Sequence, residues 1–279
     1  MDRAVVVGFD GSPTATAALA WAAEDAGLRK RPLRIVHVRE PWAPEHPSNG
    51  VETLTERCHV LLGNAAARAR AVAPAVTVTT ALVTGAVLPR LRGEAETADT
   101  LVVGSRGLGG FTGMVLGSAG LGLAGHTGCP LVVVRSLHAD SGDDVVVGDD
   151  GSPHAQAALE YALEQASARR TRLCVIHAVP FPALAPHPAG YGPLPAPNAD
   201  GAGSRLALWR EKYPQVEIVE SRVHRHPVPA LAEASRTAGL LVVGSRGLTG
   251  FTSAVLGSVS HAILHRARCP VAVLSGPRS

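Results

Sequence analysis

The chain has 279 residues, 46% hydrophobic and 18% charged, a balance that excludes a disordered polyampholyte and a length that suits two domains with sizeable cores. Aromatic residues make up only 4%, so Val, Leu, Ile and Ala must fill those cores. A net charge of +3, with no basic run and no aromatic residues interleaved with arginine, argues against nucleic acid as a partner.

Ala4 to Val7 is a short apolar run closed by Gly8 and predicts a strand. Ser12-Pro13 then supplies an N-cap with proline at the first helical position, so the strand runs straight into a helix from Thr14 to about Lys30. Leu33 to Val38 reads as the second strand. A Pro-rich loop leads to a helical stretch at Val51 to Val72, a strand at Val76 to Val83, a helix at Val87 to Thr97 and a strand at Leu101 to Val103. Gly104-Ser105-Arg106-Gly107 is followed by nine residues and by Gly117-Ser118, where another helix should begin, and Leu131 to Val134 is the last strand of the unit.

The unit is then written again 140 residues later. Leu101 to Leu108 returns letter for letter as Leu241 to Leu248, Val5 to Gly8 as Val145 to Gly148, and Asp10-Gly11-Ser12-Pro13 as Asp150-Gly151-Ser152-Pro153. The same offset carries His37 onto His177, Gly117-Ser118 onto Gly257-Ser258 and Cys129-Pro130 onto Cys269-Pro270. Two copies of one domain therefore stand in tandem, with expected bounds of 1–138 and 143–279. Strands that alternate with helices and are apolar at nearly every position predict an α/β fold, a doubly wound parallel sheet covered on both faces in each copy. The second copy departs from the first between Val179 and Asn198, where seven prolines exclude a helix. That stretch reads as a surface loop, with a lid over the ligand as the alternative, and the helix after it, near Ala202 to Lys212, is short.

In such sheets ligands bind beyond the carboxyl ends of the strands, where the strand order reverses. That places the interest at Gly8 to Ser12, at Val38 to Glu40, at Gly104 onward, and at their repeats. Glycines let backbone approach an anion, and free amides with a serine hydroxyl at a helix N-terminus suit a phosphate. A GxxxxGK[ST] loop is lacking, so a P-loop ATPase is unsupported. Gly120-x-Gly122-x-x-Gly125 matches a dinucleotide fingerprint but follows no strand, and its repeat reads Ser260, Ala262 and His265. The charge-free stretch Phe111 to Val134 resembles a membrane span, but its repeat carries His261, His265, Arg266 and Arg268, and Pro130 interrupts it. Four isolated cysteines without CxxC spacing, and no signal peptide, predict a reduced, cytoplasmic setting.

The pattern G-x2-G-x9-G-[ST], the opening VVVGFDGSP, the second strand IVHV and the ending CPLVVV together closely resemble the universal stress protein family in its tandem two-domain form, over nearly the whole chain. The resemblance implies a five-stranded Rossmann-like domain of the adenine nucleotide alpha hydrolase-like kind, a role in stress adaptation, and ATP binding. It matches Asp10 and Asp150 to the acidic residue at the adenine side, and Val38 and Ala178 to the position whose backbone meets the base. Gly8, Gly104, Ser105, Arg106, Gly107, Gly117 and Ser118 would line ribose and phosphates in the first copy. Gly148, Gly244, Ser245, Arg246, Gly247, Gly257, Ser258 and Ser260 would do so in the second. ATP is the expected ligand, with Mg2+ as a candidate companion of its triphosphate.

Each of these residues also has a plainer role open to it. Asp10 suits the ordering of a turn, Arg106 and Arg246 suit solvent, and Ser118 and Ser258 suit simple capping. His37 and His177 read as packed at strand ends, and Cys129 and Cys269 as small buried residues before proline. Three glycines across the helix after Gly117, and a hydroxyl at Ser260 where the first copy has Gly120, predict tighter nucleotide binding by the second copy. The preferred expectation is a nucleotide-dependent sensor or regulator that forms a homodimer and acts on a protein partner, neither a nucleic-acid nor a membrane binder. A slow ATPase and a nucleotide-free interaction module are its rivals.

Overall fold

The computed structural model describes residues 3–40, 53–107, 117–135, 142–179, 185–187, 190–192, 200–247 and 256–276. In the first half the elements run β1 (Val5–Gly8), α1 (Pro13–Leu28), β2 (Leu33–Arg39), α2 (Leu54–Val72), β3 (Val78–Thr84), α3 (Val87–Thr97), β4 (Thr100–Gly104), α4 (Ser118–Leu123) and β5 (Leu131–Val134). The second half repeats them as β6 (Val145–Gly148), α5 (Pro153–Arg169), β7 (Leu173–Ala178), α6 (Asp200–Lys212), β10 (Ile218–Val223), α7 (Pro227–Ala234), β11 (Leu240–Gly244), α8 (Ser258–Arg266) and β12 (Val271–Leu274). Between β7 and α6 it adds a small antiparallel hairpin, β8 (Ala185–His187) with β9 (Gly190–Gly192). The rest of the Pro-rich stretch, and with it the lid alternative, lies outside the described residues.

Local chemistry sets the boundaries. The hydroxyls of Ser12 and Ser152 accept the amides of Ala15 and Ala155 at 3.2 and 3.1 Å, and proline follows each cap, so α1 and α5 begin where the DGSP motif ends. Thr53 and Glu56 cap α2 reciprocally. Gly11 and Gly151 sit at φ of +85° and +81°, a left-handed turn that favours glycine.

Within each half the strand order is 3-2-1-4-5 and every pairing is parallel. The chain winds outward from the central strand and then crosses back, which puts its helices on opposite faces. One apolar cluster takes Val5 and Val7 with α1, α2, α5 and α6; the other takes Val6 with α3, α4, α7 and α8, as strand alternation requires. Both clusters run through both halves. The reason is the seam: β5 pairs antiparallel with β12, Val133 opposite Val271 and Leu131 opposite Val273, and fuses the two parallel sheets into one of ten strands. The apolar terminal strands thus pack the halves together.

The outer strands, β3 and β10, differ from the expectation of uniformly buried strands. Thr79, Thr80, Glu220 and Arg222 are exposed there, and polar edges of this kind resist pairing with a further strand. Among the described residues no helix is long and apolar enough to cross a membrane; the described part of the charge-free stretch is α4 and the buried strand β5.

Candidate functional site

β1 and β4 are neighbours whose following connections leave in opposite directions, so their carboxyl ends open a crevice, and β6 and β11 repeat the arrangement. After β1, one carboxylate oxygen of Asp10 accepts the Ser12 amide at 2.9 Å and orders the turn. The other lies over the loop that follows β4: a Cβ at Gly107 would stand 2.8 Å from it. In the second half Asp150 accepts from Ser152 at 2.9 Å, and a Cβ at Gly247 would stand 2.5 Å from its carboxylate. The aspartate therefore orders a turn and also packs on the first glycine loop, which is the reason for glycine at 107 and 247.

The loop is pinned from three sides. The Ser105 amide donates to Val134 of β5 at 2.7 Å, and the Ser105 carbonyl accepts the Gly117 amide at 2.5 Å; Ser245 does the same with Leu274 and Gly257, both at 2.7 Å. A Cβ at Gly117 would meet Arg106 Cα and the Ser105 carbonyl at 3.3 Å, so the helix start and the loop are in direct contact. From α1, Ser12 donates to the Arg106 carbonyl at 3.2 Å, Thr14 donates to the same carbonyl, and the Arg106 amide donates back to the Thr14 hydroxyl at 3.3 Å. Asp10, Arg106, Gly107 and Gly117 thus come together, with the Arg106 side chain exposed at the rim.

Other predicted positions have packing duties. Any side chain at Gly104 would meet the backbone of Thr14 and Ala15 at 2.7 Å, and at Gly244 the backbone of His154 at 2.8 Å, so these glycines allow the β4–α1 and β11–α5 contacts. Gly8 and Gly148 pack on Leu91 and Leu231. Val38 is the penultimate residue of β2 and Ala178 the last of β7. Ser258 is exposed at the first position of α8, whereas Ser260 is buried and donates its hydroxyl to the Gly244 carbonyl at 2.5 Å. That hydrogen is therefore spent on tying α8 to β11. Among the described residues no side chain caps Gly117 of α4 or Gly257 of α8, in contrast to α1 and α5.

His37 Nδ1 donates to the Phe9 carbonyl at 2.7 Å, and His177 Nδ1 faces the Asp149 carbonyl and carboxylate at 3.3 and 3.5 Å. Both histidines hold the turn after the first strand of their half. Burial pushes the Cys129 thiol up to about 11 and the Cys269 thiol to about 12, so both stay protonated inside the core.

Sequence reasoning missed three residues. Thr14 and His154 occupy the same helical position under the loop, but only Thr14 offers a hydroxyl to it. Burial, and then the charge of Arg246, hold the His154 imidazole below its ordinary value against the opposing pull of Asp150. Arg135, directly after β5, donates to the Leu264 and His265 carbonyls at the end of α8 at 3.2 and 2.6 Å, so the first site borders the second half. The signal for Thr14 and His154 was their place in the first turn after Ser-Pro; Arg135 gave none, because its partners come from across the seam.

Fold and crevices define a tandem doubly wound α/β protein with one switch point in each half. The universal stress protein family matches residues 1–135 and again residues 143–275. The chain belongs to that family. Universal stress protein Rv2005c of Mycobacterium tuberculosis is 34% identical over 96% of both chains, and Rv2623 of the same species is 33% identical over 96% of this chain and 95% of its own. A crystal structure of a universal stress protein from Archaeoglobus fulgidus superposes with a TM-score of 0.73 at 20% identity, covering 98% of each chain, which supports the shared fold.

Proposed function

We propose that each half binds one adenine nucleotide, ATP in the first instance, and that the protein is a sensor or regulator in stress adaptation whose conformation or associations follow the bound nucleotide. The observation that carries this reading is the duplicated contact of Asp10 on Gly107 and of Asp150 on Gly247, at the two switch points of the sheet. A turn-ordering aspartate needs no glycine loop beneath it; two crevices that keep both, with an arginine at each rim, suit a base on the aspartate side and phosphates along the loop. The residues fit the ligand on their own chemistry: Gly107 and Gly117 leave the backbone bare, and the uncapped first turn of α8 offers amides to an anion. Ligand binding shifts the population of whichever state binds better, and no chemical step is needed for a signal.

The test is to purify the chain without added nucleotide, denature it, and count and identify what is released, before and after incubation with ATP and Mg2+. Intact ATP approaching two per chain supports the reading. ADP accumulating over successive turnovers makes the protein an ATPase, and no release with no rebinding leaves an interaction module.

A further inference from the structure

The two helices that begin at the glycine loops are finished by different halves of the chain. The last four carbonyls of a helix lack partners inside it, and donors or a positive charge there stabilise its end. In the first half Arg92 of α3 supplies both: its guanidinium donates to the Gly122 carbonyl of α4 at 2.8 Å. The residue 140 positions on from Arg92 is Ala232 of α7, whose methyl group can donate nothing. The end of α8 is served instead from across the seam, where Arg135 Nη2 donates to the Leu264 and His265 carbonyls at 3.2 and 2.6 Å. The exchange is not returned. Ser275 occupies the position that matches Arg135, and its hydroxyl is buried with no hydrogen-bond partner among the described residues.

We propose, on the reading that the second crevice holds a nucleotide, that Arg135 is a positioning residue for that site: the first half completes the helix on which the second half receives phosphate. The start of α8 is fixed on its own half, by the Gly257 amide on the Ser245 carbonyl at 2.7 Å and the Ser260 hydroxyl on the Gly244 carbonyl at 2.5 Å. Its far end is held by the buried side chains of Ile263 and Leu264 and by Arg135. A helix of nine residues is marginal without such support. The guanidinium satisfies two orphan carbonyls and sets a positive charge against the negative end of the helix dipole. Burial, and then the charge of Arg106, disfavour the Arg135 cation, and the α8 carbonyls offset part of that cost. With this end held, α8 runs on to Arg266, whereas α4 stops at Leu123, the match of Ile263. Fraying of the last turn would loosen the whole short helix, including the first-turn amides that face the second loop.

The test places Arg135→Ala, Arg135→Gln and Arg135→Lys in the full chain with Asp10→Ala, which keeps the second site, and with Asp150→Ala, which keeps the first. ATP affinity is read by isothermal titration and the opening of α8 by amide hydrogen exchange. With Asp10→Ala, Arg135→Ala should weaken ATP binding about fivefold and speed exchange of the α8 amides about tenfold. Arg135→Lys keeps the charge and should recover most of both, and Arg135→Gln, with a donor but no charge, should fall between. With Asp150→Ala the loss of affinity should be smaller, because Arg92 holds α4. Four results overturn the proposal: unchanged exchange in α8, faster exchange with unchanged affinity, an equal loss at both sites, or a lysine variant no better than alanine. If Arg135→Ala does not accumulate folded, the glutamine and lysine variants decide by the same measurements. If Asp10→Ala takes up no ATP, the nucleotide reading of the second crevice fails by itself, while exchange in α8 still upholds or overturns Arg135 as the residue that holds the helix.

Discussion

The two halves keep one geometry and have let its electrostatics diverge. In both, an aspartate after the first strand packs on the first glycine of the loop after the fourth. Beneath that loop the first half has Thr14, bonded to the Arg106 backbone, where the second has His154 beside Arg246. The helix that faces the crevice also differs: α8 runs for nine residues and α4 for six. Only Gly120 and Gly122 of the three first-half glycines fall inside α4. Gly125 lies beyond its end at φ +76°, so it terminates the helix and does not weaken its interior. The close contacts of Gly104 and Gly107 recur at Gly244 and Gly247, while the side chains beneath the loop differ.

The largest effects should come where the halves are identical. Gly104→Val and Gly244→Val each force a side chain into helix backbone at 2.7 and 2.8 Å, and each should destabilise its half by about 3 kcal/mol or more, seen as an early transition in calorimetry. A mild effect at one position alone would show that its β-strand to helix contact is not the tight one described. Next, Asp10→Ala and Asp150→Ala should each reduce bound nucleotide from two per chain to one, read by isothermal titration. Loss of both sites from one substitution would mean that the crevices act as a unit across the Arg135 bridge.

A smaller effect separates the halves by pH. The His154 pKa is depressed in the folded chain, so its contribution to stability is complete above the unfolded value near 6.5 and is lost as pH falls through the folded value. A phosphate beside Arg246 would raise that pKa again. In Asp10→Ala, where the second site remains, affinity should therefore rise by about threefold to tenfold between pH 7.5 and 5.5. The first site, isolated by Asp150→Ala, should show no such rise, and His154→Thr should abolish it in the second. The smallest effect is local: Gly120→Ser, which installs the second half's residue in α4, should stabilise the helix by about 0.5 kcal/mol. Urea titration of the unaltered and substituted chains would measure it, and a loss of stability would show that position 120 needs the flexibility of glycine.

The expectation of tighter binding by the second copy rested partly on Ser260 as a further donor. Its hydroxyl is turned onto the Gly244 carbonyl, so the remaining basis is the longer and less glycine-rich α8.

From the sequence alone came the strands and helices, the cap at each Ser-Pro, the repeat and the positions of both switch-point loops. These are local matters: β-branched runs, proline and glycine act within a few residues, and the 140-residue offset shows the strand ends, the Ser-Pro caps and the glycine loops twice. The tertiary structure alone decided that β5 and β12 join the two sheets into one, that Ser260 faces inward, that Arg135 reaches into the other half, and that Asp25 serves two arginines. Each depends on contacts between separate elements of the fold, sixteen residues apart for Ser260 and more than a hundred for the others, and burial, which makes an unmatched charge or an unspent hydrogen bond costly, settles those choices.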